Sequence, residues 1–183
     1  MAQSTSDLSY PKSAVLLHWL MLALIIGVYA TIELRENFPK GSEIREAFKT
    51  WHFMLGLSIL ALVCLRIVLR LGIWKVPPIT PSPPNWQNRL GGLVHVALYG
   101  LMIGMPIGGW LILSAAGKTI PFWGLSLPPV IEPNKFLAGQ IKEIHELGGT
   151  LGYGLIGLHA LAALFHHYIR KDNTLIRMLP GRG

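Results

Sequence analysis

The sequence is short of charge. Only 14% of its 183 residues are Asp, Glu, Lys or Arg, against roughly 25% in soluble domains, while 51% are hydrophobic and the mean hydropathy is +0.46. That balance excludes an ordinary water-soluble globule. It also excludes disorder, which needs low hydrophobicity together with high net charge. Cysteine is nearly absent: Cys64 stands alone inside an apolar run, so no internal disulfide or thiolate metal cluster is available, and the residue reads as a small buried hydrophobe. Acidic residues are few, nine against sixteen Lys and Arg, giving a net charge of +7 and a pI near 9.8. A nucleic-acid reader would gather such basic residues on one soluble face. Here they lie between long uncharged runs, and nucleic acid is excluded as a partner.

Long apolar runs are what the chain has instead. A bilayer core takes roughly 20 apolar residues in a helix, and four stretches qualify, at about 14–33, 50–70, 90–116 and 146–169. They predict one transmembrane domain over residues 1–183, all-α, built as a four-helix bundle in the lipid bilayer. The first stretch is too long for a secretory signal, and no small-x-small cleavage site precedes Glu33. Residues 119–131 are apolar but broken by Pro121, Pro128 and Pro129, and with Phe122 and Trp123 they suit an interfacial layer rather than a crossing.

Four crossings put both termini on one side. That side and the 71–89 loop hold Lys12, Arg66, Arg70, Lys75, Arg89, Arg170, Lys171, Arg177 and Arg182, nine basic residues beside Asp7 and Asp172. The other side holds Arg35, Lys40, Arg45, Lys49, Lys118, Lys135 and Lys142, seven beside seven glutamates. Lysine and arginine counts set orientation, so the termini are placed in the cytoplasm. The proline-rich linker 76–84 then forms a semi-rigid cytoplasmic segment.

Seven histidines, His18, His52, His95, His145, His159, His166 and His167, lie in or at the ends of these stretches. Ionisable side chains inside a membrane are costly and mark function by default, whereas any one of them alone could be a neutral imidazole bonded to a neighbouring helix. Their depths argue for more. His145 and His159 are fourteen residues apart, which at 100° and 1.5 Å per residue leaves them about 40° apart in azimuth and roughly 21 Å apart along the axis. One helix face thus offers an imidazole near each membrane surface, the arrangement for two stacked haems. Each iron needs a second ligand. His52 is level with His145; His18 is level with His159, and His95 lies at much the same depth as His18. Neutral imidazole is the commonest metal ligand, and iron with two axial histidines favours electron transfer over gas binding. Zinc would want three or four ligands converging at one point, which the fourteen-residue spacing defeats. Gly148, Gly149, Gly152, Gly154 and Gly157 flank the ligand face and Gly56 follows His52, leaving room for a cofactor or for close helix packing.

With those residues located, the chain resembles the bacterial cytochrome b561 family of di-haem membrane proteins, over nearly its whole length from Val15 to Pro180. The resemblance rests on His18-Trp19, on Ile32-Glu33-Leu34-Arg35 with Phe38-Pro39, on His52, on Gly152-Tyr153 and Gly157-Leu158-His159-Ala160. The tail adds His166-His167-Tyr168, Lys171-Asp172-Asn173-Thr174-Leu175 and Arg177-Met178. It implies two haem b groups, His18 with His159 on the cytoplasmic side and His52 with His145 on the periplasmic side, in the bacterial inner membrane. It further implies oxidation of superoxide, or another one-electron donor, at the periplasmic face and reduction of ubiquinone in the membrane: a superoxide:ubiquinone oxidoreductase.

An anionic donor would be steered by Lys40, Arg45, Lys49, Lys118, Lys135 or Lys142. Reducing a quinone needs protons as well as electrons, and His166, about two turns beyond His159 on almost the same face, is the candidate for that site, with His167, Trp86 and His95 around it. Alternatives are a cytochrome b subunit of a larger reductase or hydrogenase complex and, more distantly, a small proton or ion transporter whose histidines relay charge. The orientation is directly testable: reporters fused after Gly183 and within the 71–89 loop should both read as cytoplasmic, and a periplasmic signal from the carboxyl-terminal fusion would overturn the span count or its direction.

Overall fold

Each long helix begins where an acceptor satisfies N–H groups of its first turn. α1 (Lys12–Leu34) starts after Pro11, whose carbonyl accepts from Ala14 and Val15. α2 (Glu43–Gly72) starts at Ser42, whose hydroxyl accepts from the Arg45 N–H, with Glu43 and Glu46 favourably placed in its first turn. α3 (Asn85–Ala115) follows Pro84. α4 (Lys135–Phe165) starts at Asn134, whose side chain accepts from the Leu137 N–H at 3.0 Å, a cap that stabilises by about 1 kcal/mol. The computed structural model describes residues 9–180; Asp7, Arg182 and Gly183, used in the topology argument, lie outside them.

The four helices are each long and apolar enough to cross a membrane, and the architecture is an all-α membrane four-helix bundle. α2 and α4 start well before the apolar stretches at 50 and 146. The added turns carry ion pairs, Lys49 to Glu46 at 2.5 Å and Lys142 to Glu146 at 3.1 Å, so hydropathy does not register them. Successive helices run antiparallel and pack as neighbours, α1 on α2, α2 on α3 and α3 on α4. One buried cluster, Ala14, Leu17, Met21, Ile59, Val63 and Trp74, lies toward the end of the bundle that carries the tail; a second, Leu57, Leu113 and Ile120, lies toward the opposite end. Many large apolar residues, Leu16, Val68 and Leu71 among them, are exposed, as lipid-facing surfaces are, and Cys64, expected to be buried, is exposed on the same apolar helix surface.

The 119–131 segment departs from a simple interfacial layer. Ile120–Phe122 (β1) and Leu125–Leu127 (β2) pair antiparallel in a hairpin, turned by Trp123 and Gly124, both at positive φ, which is what a two-residue turn of matching twist requires. The hairpin lies on α2: Ile120 is buried, and the Trp123 indole donates to the Ser58 hydroxyl at 2.9 Å. This end is called the hairpin end below, and the other the tail end.

The bundle closes between its first and last helices by polar and ring contacts. The Tyr29 hydroxyl donates to the Gly149 carbonyl at 2.8 Å, the Tyr29 and Tyr153 rings lie 4.3 Å apart, and the Tyr153 hydroxyl donates to Glu33 at 2.9 Å. Gly152 makes the closure possible, since a Cβ there would collide with the Tyr29 hydroxyl. Gly152→Ala should therefore lower stability by about 1–3 kcal/mol in thermal melts, and adding Tyr29→Phe should recover part of the loss because the hydroxyl is the obstructing atom. Equal damage in both backgrounds would count against this contact.

Candidate functional site

The bundle brings the membrane histidines together in two places. At the hairpin end the rings of His52 (α2) and His145 (α4) have centroids 6.3 Å apart. At the tail end those of His18 (α1) and His159 (α4) are also 6.3 Å apart. Neither pair is stacked, with interplanar angles of 74° and 62°. The separation has a chemical meaning: two metal–nitrogen bonds of about 2 Å plus the inner half of each ring, about 1 Å, span about 6 Å. The third imidazole at the tail end, His95, sits with its ring 5.2 Å from that of His159, about an ångström short of such a span.

The surroundings orient the rings. The His52 Nδ1 lies 3.0 Å from the Val28 carbonyl, so Nδ1–H donates and Nε2 keeps its lone pair, the second bond that metal-ligating histidines commonly make. The His145 Nδ1 is buried, and the Met105 carbonyl lies toward it without reaching strict hydrogen-bond geometry. Its ring lies against the glycine step of α3, where a Cβ on Gly108 would stand 3.3 Å from Nδ1 and one on Gly109 3.6 Å from Cε1. Of the glycines noted in the sequence, Gly148 and Gly152 are spacers for Met105 and Tyr29, and Gly149 offers its carbonyl to Tyr29. At Gly56, Gly154 and Gly157 an added Cβ would meet nothing within 4 Å. Among the described residues no three His, Cys, Asp or Glu side chains converge as a metal site. Paired imidazoles with open glycine surface fit a flat group ligated from both faces, and haem is such a group.

The comparisons agree with that fit. The profile of the family described as prokaryotic cytochrome b561 matches residues 9–181. The chain belongs to the prokaryotic cytochrome b561 family. "Cytochrome b561 homolog 1" of Escherichia coli (strain K12) is 39% identical over 173 residues, covering 94% of this chain and 98% of that protein. "Probable superoxide oxidase CybB" of Yersinia pestis is 41% identical over 164 residues, covering 90% and 92%. "Cytochrome b562" of Cereibacter sphaeroides is 27% identical over 182 residues, covering 97% and 99%. The protein is thus a multi-pass membrane cytochrome that binds b-type haem and transfers electrons.

Beyond His159, this cytochrome b561 chain changes its helical pitch. Residues His166–Arg170 form a π-helical turn, Lys171 adopts the left-handed conformation, and the Lys171 and Asp172 N–H groups both donate to the His166 carbonyl. The chain reversal returns Asp172 to His166, whose Nδ1 is 2.6 Å from the carboxylate. Burial by itself would raise the Asp172 pKa, but hydrogen bonds from His166 and Thr174 outweigh it and hold the carboxyl below the ordinary range. His167 packs its ring on Tyr168 at 4.7 Å. Trp86 is exposed at the start of α3, and no ring contact or hydrogen bond joins Trp86 or His95 to His166. His95 instead bonds Nδ1 to the Gly91 carbonyl of its own helix at 2.7 Å.

The hairpin-end charges need a correction. Arg45 is buried, donating to the Arg35 and Phe38 carbonyls and paired with Glu36 at 2.8 Å, so it clasps the turn after α1 and is not displayed to a donor. Lys49 and Lys142 are paired with glutamates. Lys40, Lys118 and Lys135 remain exposed, Lys118 lining a cleft of about 610 Å³ beside the hairpin. Three features had no usable signal in composition or spacing: the Gly108–Gly109 seat for His145, the Tyr29–Gly149 closure, and Asp172. The first two pair residues far apart in sequence, and Asp172 sits among tail charges that read as a basic belt.

Proposed function

We propose that this cytochrome is a superoxide:ubiquinone oxidoreductase holding two haem b groups, one between His52 and His145 and one between His18 and His159. The observation that carries the reading is the equal 6.3 Å separation of the two imidazole pairs, set fourteen residues apart on α4. Each haem supplies a site that takes up and passes on a single electron. The chain does the rest. Val28 keeps the His52 Nε2 free for iron, and Gly108 and Gly109 seat the His145 ring. His95, too close to His159 and bonded to Gly91, is assigned away from the iron and toward the quinone. The 41% identity to a protein named as a probable superoxide oxidase supports superoxide as donor, with Lys40, Lys118 and Lys135 as the charges that draw it to the hairpin end.

The balance is two superoxide, one ubiquinone and two protons giving two dioxygen and one ubiquinol. Protons must therefore reach the acceptor. His166 is the group proposed to deliver them, at the tail end, with His167, Trp86 and His95 on the flanks of the quinone site. The tail end is assigned to the cytoplasm of a bacterial inner membrane and the hairpin end to the periplasm, following the basic-residue bias.

Purified protein should carry close to two haems per chain and should reduce ubiquinone with superoxide in the absence of other proteins. A ratio near one, or turnover that needs a second subunit, would overturn this reading. His52→Ala or His145→Ala should remove one b-type signal, His18→Ala or His159→Ala the other, and His95→Ala neither. Loss of a haem in His95→Ala together with its retention in His18→Ala would reassign the tail-end ligand. His166→Ala should lower quinone reduction at least tenfold, in keeping with the loss of a general acid, while haem reduction by superoxide is unchanged; undiminished turnover at limiting quinone would remove His166 from the site.

A further inference from the structure

Asp172 is the one acidic side chain among the described residues of the tail end, and it is 3% exposed. A carboxylate at a helix exit that served only as a surface charge would stay in water, because burying it is costly unless every oxygen is partnered. Here both are. Oδ1 accepts the Thr174 N–H at 2.9 Å, and Oδ2 lies 2.6 Å from the His166 Nδ1.

The backbone around it is held from elsewhere in the chain. Asn173 exchanges hydrogen bonds with Thr80, its N–H donating to the Thr80 carbonyl at 3.1 Å and its Oδ1 accepting from the Thr80 N–H at 2.8 Å. The Arg177 guanidinium donates to the Pro77 carbonyl at 2.5 Å, and the Trp19 indole donates to the Met178 carbonyl at 2.7 Å. The α2–α3 linker and α1 therefore lock the tail, and the locked tail points a buried carboxylate at one imidazole nitrogen.

We infer that Asp172 is a positioning residue for quinone reduction: it holds the His166 Nδ1 protonated, leaving Nε2 as the atom that gives a proton to the quinone carbonyl. This rests on the quinone reading above. In the step, the N–H bond at Nε2 breaks and an O–H bond forms on the quinone oxygen as electrons arrive from the donor through the membrane; the Nδ1–H to Asp172 bond is kept, and Nε2 is reprotonated from water at the tail end. The other charges that share this end are cationic: Lys12 on α1, Arg66 and Arg70 on α2, Lys75 in the linker, Arg89 on α3, and Arg170, Lys171 and Arg177 in the tail, with Tyr10 beneath Arg70 and Arg177 and His95, His167, Tyr99 and Tyr168 beside them.

The test uses full-length haem-loaded protein, superoxide and a short-chain ubiquinone. Asp172→Asn should slow quinone reduction on the order of tenfold, with haem content and haem reduction by superoxide unchanged. Added to His166→Ala, it should cause no further loss. In Asp172→Asn the share of neutral His166 protonated at Nδ1, read by nitrogen-15 NMR, should fall. Undiminished quinone reduction in Asp172→Asn, an additive loss in the double variant, or an unchanged His166 tautomer in Asp172→Asn would each overturn the role given to Asp172 while leaving the quinone site standing. Normal quinone reduction in His166→Ala would instead sink the site itself. Nitrogen-15 NMR of histidine-labelled wild-type protein gives a readout that needs no variant: neutral His166 should be protonated at Nδ1, and protonation at Nε2 would refute the proposal.

Discussion

An imidazole in hydrocarbon has no water to bond, so each one in this bundle must be answered by a group the protein supplies. α4 sets that problem twice, with His145 and His159 on one face, and the remaining helices are arranged to answer it. α2 brings His52 to the first and α1 brings His18 to the second. Because α1 and α2 lie on the same side of the chain order while α4 comes last, the bundle has to close α1 against α4. It does so with a tyrosine hydroxyl on a backbone carbonyl and a glycine where any side chain would intrude. Polar closure suits lipid, where apolar packing between helices gains little over apolar packing against acyl chains.

The two ends are built differently. At the hairpin end the polypeptide is capped and ion-paired, with Arg45 tied into the turn after α1 and the β-hairpin lying on α2. At the tail end the chain is held by bonds between distant segments. The π-turn, the left-handed Lys171 and the Asn173–Thr80 bonds hold a His–Asp pair close to the His18–His159 level. A π-turn inside or at the end of a helix is often found at functional sites, and here it serves to return Asp172 onto His166. Electron passage asks only for fixed, dry ligands; the proposed reduction of quinone also asks for a proton, and the one buried acid–imidazole pair among the described residues is the group proposed to supply it.

The boundary between what the chain order specified and what folding decided can be placed residue by residue. Four crossings, the level of each histidine and the separation of His145 from His159 follow from hydropathy and helical pitch, which depend on neighbouring residues alone. The family was likewise legible in the histidine and tail motifs. Extra-membrane turns of α2 and α4 escaped hydropathy because they are charged, and the β-hairpin escaped because its turn depends on two positive φ values and on docking to Ser58. Spacing left His18 and His95 equal as partners of His159; only the packing of α1 and α3 separates them, at 6.3 and 5.2 Å. Arg45 counted as a surface charge until the turn after α1 enclosed it. Asp172 and His166 meet because a left-handed residue reverses the chain between them. Local sequence thus determines depth and periodicity, while the distance between two side chains on different elements is a property of the tertiary structure, set by how closely the helices are allowed to approach.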